Sequence, residues 1–171
     1  MKTKKLQAFG IILILIFVKS TALAQDSSRN FKHAIGAAAG FTTGYGLSYR
    51  FMPAKYGVQI TFAPYHDSNL DRFSTGLTLL YTLVESKVTN LFLYQGTHHY
   101  YNSRIEERYD PDKTTPTSVR VTESYVNVGL GVGIEIIIAK RVGFNLMAGY
   151  AAYDNFNKLN ITGESGLFYK F

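Results

Sequence analysis

Long stretches of this sequence alternate between large apolar residues and small or polar residues. In the clearest stretch, residues 126–136, Val, Leu and Ile occupy every second position, with Asn, Gly and Glu between them. Successive side chains of a β-strand point to opposite faces, so this alternation collects the large apolar groups on one face. The same period recurs at 45–51, 56–63, 73–83 and 142–151. The pattern predicts an all-β chain.

Polar and turn-forming segments divide the chain into eight candidate strands. The first, about residues 31–40, is mostly Ala and Gly, and the last ends at Phe171. The fifth, about residues 89–100, is apolar on both faces, so the sequence leaves its register open. The predicted connections are short turns near Pro53, Ser86 and Lys140, a short first connection at Phe41–Gly44, and longer polar loops at His66–Asp71, Asn102–Ser118 and Asp154–Asn160.

The composition of the second strand face indicates a membrane environment. A water-soluble barrel turns its large apolar side chains inward and covers its outer face with charges. Here the other face carries Gly, Ser, Thr, Asn and Ala with few charges, which suits a crowded interior. Tyr49, Phe62, Leu130 and Phe144 are therefore expected to face lipid. Lipid offers no hydrogen bonds to a free strand edge, so the sheet must close. The prediction is a closed, antiparallel, eight-stranded up-and-down transmembrane barrel.

The N-terminus has the layout of a secretory signal peptide. Lysines precede the apolar run 9–18, and an Ala-Leu-Ala sequence at 22–24 supplies a cleavage site. The predicted domains are a signal peptide, 1–24, and a barrel domain, 25–171. Four of the 18 basic residues lie in the signal, which leaves a nearly balanced charge against 12 acidic residues. Charge therefore gives no motive for nucleic-acid binding. The absence of cysteine excludes disulfides and thiol catalysis.

The last strand carries a resemblance to known proteins. The chain ends Leu-Phe-Tyr-Lys-Phe, with aromatic or apolar residues at alternate positions, which resembles the C-terminal signature of bacterial outer-membrane proteins. The whole of residues 31–171 resembles the small eight-stranded barrels of the OmpA/OmpX type and the outer-membrane β-barrel domains of Bacteroidetes. This resemblance implies an outer-membrane location in contact with lipid and lipopolysaccharide. It also implies that Leu167, Tyr169 and Phe171 are recognised by the barrel-assembly machinery.

Four charged residues fall on the face predicted to point inward: Arg50, Glu135, Glu164 and Lys170. An eight-stranded barrel is just wide enough inside for side chains, so these groups are expected to form a buried polar network that plugs the lumen. Pairing is expected because a lone buried charge is costly. The alternative is a narrow pore or proton path lined by the same residues. The sequence does not say which acid meets which base.

One short motif suggests chemistry. The His-x-Ser-Asn spacing at 66–69 is similar to the catalytic motif of the lipid A deacylases, which are also eight-stranded outer-membrane barrels. That resemblance implies His66 as the general base and Ser68 as the nucleophile. In that family the motif lies within a strand, whereas here the sequence predicts a turn-rich loop. The alternative interpretation is a solvated loop with no catalytic role.

Two other segments bear on partners. His98 and His99 are adjacent in a predicted strand and point to opposite faces, so they cannot share one metal ion. In the long polar loop, Arg104 and Arg108 could contact lipopolysaccharide phosphates or an extracellular or envelope protein. No cofactor or metal site is predicted. The leading functional prediction is a non-enzymatic outer-membrane barrel with a structural or surface-interaction role; the alternatives are a narrow channel or small-ligand uptake barrel and a lipid-modifying hydrolase.

Overall fold

The computed structural model describes residues 31–86, 88–108 and 117–171. The predicted signal peptide, 1–24, lies outside the described residues, so it stays a prediction, as does the start of the barrel domain at 25. Among the described residues, no helix is long and apolar enough to cross a membrane. The described residues belong to one unit that spans 31–171.

Eight antiparallel strands form a closed ring, as predicted from the alternating pattern. Each strand pairs with its neighbours in sequence, and the first pairs with the last, so the order around the ring is the order along the chain. The strands are β1 (His33–Gly40), β2 (Gly46–Phe51), β3 (Tyr56–Asp67), β4 (Leu70–Glu85), β5 (Thr89–Arg108), β6 (Thr117–Ala139), β7 (Val142–Tyr153) and β8 (Lys158–Lys170).

The seam between β1 and β8 closes the ring. Its register runs from Ala34 opposite Lys170 to Gly40 opposite Glu164. One residue past the end of β8, the backbones of Phe171 and His33 exchange hydrogen bonds of 3.2 and 2.8 Å. The ring therefore closes with no free edge between β1 and β8, as the interior of a bilayer requires.

Large apolar side chains cover the outside of the ring. Tyr49, Phe62 and Leu130 are 42%, 42% and 54% exposed, and Phe144 is half-buried. None of them enters a common interior core, so the predicted orientation is confirmed. A surface this rich in apolar groups is suited to acyl chains rather than water. Other members of this outer belt are Ile35, Leu47, Val58, Ile60, Leu77, Val132, Ile134, Leu146, Tyr150 and Ile161.

The interior is less uniformly small and polar than the sequence pattern predicts. Leu80, Phe92, Tyr94 and Met147 form a buried apolar cluster inside the ring. Its bulk is accommodated by Gly133, where an added Cβ would lie 2.4 Å from the Phe92 ring. Phe92 and Tyr94 come from the fifth strand, whose register the sequence left open. Both of these side chains are buried, which shows that the even-numbered residues of this strand point inward.

Two predicted loops are instead paired strands. β3 and β4 pair as far as Asp67 opposite Leu70, so the predicted loop His66–Asp71 is a hairpin with a two-residue turn. β5 and β6 pair as far as Arg108 opposite Thr117, so most of the predicted loop Asn102–Ser118 is a β-ribbon. Polar residues predict a loop only where the backbone N–H and C=O groups have no strand to pair with. Here the neighbouring strands supply those backbone hydrogen bonds.

The long strands rise above one side of the ring. β4, β5 and β6 contain 16, 20 and 23 residues, whereas β1 and β2 contain 8 and 6. β6 pairs with β7 only as far as Val128, and β2 pairs with β3 only as far as Phe62. We call the four-stranded part beyond these limits the sheet extension; it comprises residues 63–67, 70–73, 99–108 and 117–127. The extension forms a wall on one side of the barrel mouth.

Candidate functional site: the lumen and its mouth

The connection between β1 and β2 turns into the lumen. Thr42 and Thr43 in this segment are fully buried, although a barrel loop ordinarily faces water. Two glycines, Gly44 with φ of 76° and Gly46 with φ of 126°, adopt backbone angles that other residues rarely take. They allow the chain to reverse within a few residues. We call residues 41–45 the plug loop.

A buried carboxylate holds the plug loop inside. Glu164, on β8, accepts hydrogen bonds from the Thr42 hydroxyl at 2.5 Å and from the Thr43 hydroxyl at 2.8 Å. The backbone N–H groups of Thr42 and Thr43 donate to the same carboxylate at 3.2 and 3.1 Å. The Thr162 hydroxyl adds another bond at 2.8 Å. Hydrogen bonds to a charged acceptor are the strong ones, so this cluster fixes the loop.

Glycines on the surrounding strands make room for the plug loop. An added Cβ at Gly76 would lie 1.8 Å from the Thr43 carbonyl oxygen, and one at Gly96 would lie 2.6 Å from that of Thr42. At Gly129 it would meet the Thr42 side chain at 2.7 Å. The inward glycines of three strands therefore form the cavity into which the loop fits.

A second anchor binds the start of the plug loop. The Phe41 carbonyl accepts hydrogen bonds from His98 Nδ1 at 3.1 Å and from Asn127 Nδ2 at 3.0 Å. Because Nδ1 donates, Nε2 of His98 is the acceptor for the Ser74 hydroxyl, 2.9 Å away. The Ser74 oxygen in turn accepts from the Tyr45 N–H at 3.3 Å. A serine bonded to a histidine is typical of serine hydrolases, but the Ser74 hydroxyl is fully buried and cannot attack a substrate.

At the other end of the lumen, near the last residues of β8, lies a second polar cluster, which we call the lower cluster. Glu135 receives Arg50 Nη1 at 3.4 Å, Lys170 Nζ at 2.6 Å and Asn90 Nδ2 at 2.7 Å. The Arg50 guanidinium also donates to Gln59 at 2.6 Å and lies over the Phe168 ring, 4.1 Å from its centroid. The carboxylate is thus shared by two cations and one amide.

The structure divides the four predicted lumen residues between two clusters. Arg50, Glu135 and Lys170 meet in the lower cluster. Glu164 instead binds the plug loop, and among the described residues no basic group lies within ion-pair distance of it. On β8, Phe168 stands between Lys170 and Glu164 and is buried. The sequence showed the charges but not their division.

The alternating pattern gives no sign of the plug loop and places Tyr45 on the wrong face. Tyr45 continues the alternation of β2, which predicts a lipid-facing side chain. Gly46 interrupts the pleat with its positive φ, so Tyr45 lies instead over the mouth, with its ring 5.9 Å from that of His98. Two glycines separated by one residue were the available signal for this reversal.

The motif with the deacylase-like spacing does not assemble as that resemblance implies. His66 belongs to β3, pairs with Asp71 through Nδ1 and is largely exposed. Ser68 lies in the hairpin turn, where its N–H and hydroxyl bond to Asp67 at 2.7 and 3.4 Å. The hydrogen bond from His66 holds the pKa of the Asp71 carboxyl below its usual range. Within the described residues His66 thus has a carboxylate partner, but Ser68 bonds elsewhere.

The two arginines predicted to make surface contacts lie on β5. Arg104 bonds to Glu106 at 2.6 Å and to Glu123 at 3.4 Å, and Glu106 raises the pKa of Arg104. The Arg104 guanidinium is therefore already paired with two carboxylates, which disfavours its binding to a phosphate. Arg108 is the last residue of β5, and its side chain lies outside the described part of the chain.

The remaining candidate residues are placed by the pleat. His98 is buried inside and His99 is exposed outside, as adjacent strand residues must be. Within the described residues, no group of three or more potential metal ligands comes together. Leu167, Tyr169 and Phe171 are about half exposed on the outer surface beside the seam, at 51%, 46% and 51%.

Comparisons with known proteins give a likeness in fold. A major outer membrane protein from Thermus thermophilus matches with a TM-score of 0.50 and 14% identity, covering 84% of this chain and 100% of that one. The chain has the fold of a small outer-membrane β-barrel. The N-terminal barrel domain of Pseudomonas aeruginosa OprF matches with a TM-score of 0.48 and 16% identity, covering 81% of this chain and 95% of that one. Neisserial surface protein A matches with a TM-score of 0.44 and 12% identity, covering 81% of this chain and 94% of that one. No protein-family model and no curated protein matches the sequence.

Proposed function

We propose that this outer-membrane barrel is a non-conducting, non-enzymatic platform that presents its extracellular surface for binding. The observation that carries the proposal is the plug loop, which Glu164 clamps inside the lumen through both neighbouring threonines. Below it, the buried apolar cluster and the Arg50–Glu135–Lys170 cluster also lie inside the ring. These contacts favour a plugged lumen over the narrow channel.

The geometry also favours binding over catalysis. Rigid barrels commonly carry their binding residues on connections and extensions. Here the sheet extension places about ten residues of β6 beyond the last pairing with β7. Ser74, bonded to His98, is buried, and Ser68 is separated from His66. Ser124 is exposed and bonded to His99 at 3.1 Å, but among the described residues no carboxylate is bonded to that histidine to orient it as a base.

Conductance in planar lipid bilayers tests the plugged lumen. The purified chain is expected to give no unitary current steps, because the plug loop and the two side-chain clusters below it fill the lumen. The insertion control is heat-modifiable migration of the same preparation on SDS gels, which reports a folded barrel. Regular current steps from folded protein would contradict the proposal and restore the channel alternative.

The hydrolase alternative is tested by lipid A composition. Cells that express the chain or its Ser68→Ala variant are expected to yield lipid A of the same mass, because Ser68 is not activated by a base. A loss of acyl chains that depends on Ser68 would overturn the non-enzymatic part of the proposal.

We propose further that the C-terminal residues serve in assembly. Phe171 lies at the seam, where His33 stacks against it with ring centroids 5.8 Å apart. Phe171→Ala is expected to lower the amount of heat-modifiable protein in the outer-membrane fraction. Ile161→Ala, which shortens an exposed apolar side chain of β8 away from the C-terminus, provides the control. Equal yields from both variants would remove the assembly role.

A further inference from the structure

Three tyrosines line the mouth of the barrel above the plug loop. Tyr100 on β5 lies 4.8 Å from Tyr125 on β6 and 6.4 Å from Tyr45 of the plug loop, measured between ring centroids. The His98 ring lies 5.9 Å from Tyr45 and 6.3 Å from Tyr100. All three tyrosines are partly exposed, so their surfaces remain available at the mouth. We call Tyr45, Tyr100, Tyr125 and the adjacent Asn102 the tyrosine cup.

The cup is open on one side. Tyr100, Asn102 and Tyr125 lie on the inner face of the sheet extension, which forms a wall. Across the mouth, β7 ends at Tyr153 and the next strand begins at Lys158 after a short turn. The plug loop, which would otherwise stand opposite the wall, is folded into the lumen and supplies the floor. A ligand that approaches the mouth therefore meets the tyrosine rings above the plug loop.

Asn102 adds an unfilled hydrogen-bonding position. Its side chain follows Tyr100 on the same face of β5, and the residue is only 3% exposed. The Asn102 Oδ1 atom has no hydrogen-bond partner among the described residues. A buried polar atom without a partner is costly, so an arriving donor gains more there than at a solvated surface. The atom is covered by its neighbours, so an O–H or N–H group of a ligand would supply that donor by displacing a side chain at the mouth.

The charges around the cup indicate the class of ligand. Arg104, on the same face as Asn102, is already paired with Glu106 and Glu123. Arg72, opposite Asn102 on β4, is exposed, so water solvates its charge and leaves it free to donate to hydroxyl oxygens. Aromatic rings with a few placed polar groups are typical of small-molecule sites. Partly polar rings and an amide acceptor suit a neutral ligand that has both apolar faces and hydroxyl groups.

We propose that the tyrosine cup binds a neutral saccharide, with a sugar ring stacked on Tyr100 or Tyr125 and a hydroxyl donated to Asn102 Oδ1. The proposal deepens the proposed function, because it assigns a ligand class to the platform and uses the plug loop as its floor. The same chemistry is present in the core sugars of lipopolysaccharide and in free oligosaccharides outside the cell.

Calorimetric titration tests the site on the full folded chain. The protein is held in a zwitterionic detergent without a sugar headgroup, so that detergent cannot occupy the cup. Maltotetraose represents a free oligosaccharide, and dephosphorylated core oligosaccharide released from lipopolysaccharide represents the membrane source. Saturable binding of either probe is expected, and the tighter of the two identifies the source. Absence of saturable binding by both, at millimolar saccharide, overturns the proposal.

Variants on the two faces of β5 locate the binding. Asn102→Ala and Tyr100→Ala are each expected to weaken binding roughly tenfold, the effect of losing one buried hydrogen bond or stacking surface. His99→Ala changes the opposite face of the same strand and is expected to leave binding unchanged. Each variant is first checked for heat-modifiable migration. Binding that is unaffected in the folded Asn102 or Tyr100 variant places the saccharide elsewhere and overturns the assignment.

Further readouts separate the alternatives. Binding of phosphorylated core oligosaccharide alone would mean that Arg72 selects an anion, which overturns the neutral class of ligand. A concentration-dependent increase in particle size that shields the tyrosines would mean that a second copy of this chain fills the cup, which overturns the saccharide. Conductance is measured on the protein without saccharide, so the plugged-lumen proposal can stand when saccharide binding fails. Conversely, current steps in a protein that binds saccharide would contradict only the plug.

Discussion

Replacement of Glu135 by Ala is expected to lower the free energy of unfolding by about 3–5 kcal/mol, the range for removing one partner of a buried ion pair. Glu135 is the shared acceptor of Arg50, Lys170 and Asn90. Its loss leaves the Arg50 guanidinium inside the ring without its carboxylate. Urea unfolding of the barrel in lipid vesicles measures the change.

The size of this loss depends on the burial of the ion pair. A matched variant of an exposed ion pair shows this dependence. Glu123→Ala also removes a carboxylate from an arginine, but its partner Arg104 is in water and Glu106 remains beside it. The free energy of unfolding should therefore change little, as for most exposed pairs. Glu135→Gln, which keeps hydrogen bonding without the charge, should fall between the two. Equal losses from Glu135→Ala and Glu123→Ala would mean that the lumen is filled with water.

Gly76→Ala is expected to displace the plug loop and lower the free energy of unfolding measured by urea in lipid vesicles, without producing unitary currents, because the two clusters below the loop remain. The added Cβ would lie 1.8 Å from the Thr43 carbonyl oxygen, a backbone atom that cannot rotate away. β4 is hydrogen-bonded on both sides, whereas the loop is held by side chains, so the loop is the part that moves. Overpacking of this kind costs about 1–3 kcal/mol, and the Glu164 carboxylate also loses its donors from Thr42 and Thr43.

The control for this prediction is the same substitution where there is space. At Gly163 on β8, an added Cβ would meet nothing within 4 Å. Gly163→Ala should therefore leave both the stability and the absence of current unchanged. Unitary currents from folded Gly76→Ala protein would mean that the two clusters below the loop leave a gap and that the plug loop alone closes the lumen.

Much of the architecture could be predicted from local patterns. The alternation in β6 fixes which side chains face lipid, because a one-residue shift would turn every Val and Ile inward. The small and polar character of the other face distinguishes a membrane barrel from a water-soluble one. The prediction was weakest in β5, where Phe92 and Leu93 are both apolar and only the neighbouring strands determine which of them enters the interior.

Polarity was a poor guide to where strands end. His66 and Asn102 lie in segments that look like loops, yet both are in strands, because their partners on β4 and β6 supply the backbone hydrogen bonds. The partner of His66 follows a turn, and the partner of Asn102 on β6 is distant in the sequence. A pattern of neighbouring residues therefore does not predict either pairing. The extension that carries the tyrosine cup was therefore hidden in the sequence.

The sequence by itself determined a closed β-barrel with an apolar exterior, because strand pleating converts a period of two into two chemically distinct faces. Only the tertiary structure decided what happens inside. Glu164 meets Thr42 across 122 positions of sequence, and Glu135 meets Arg50 across 85. Ring closure brings such residues within hydrogen-bond distance, and the space left by glycines on other strands decides which loop can enter.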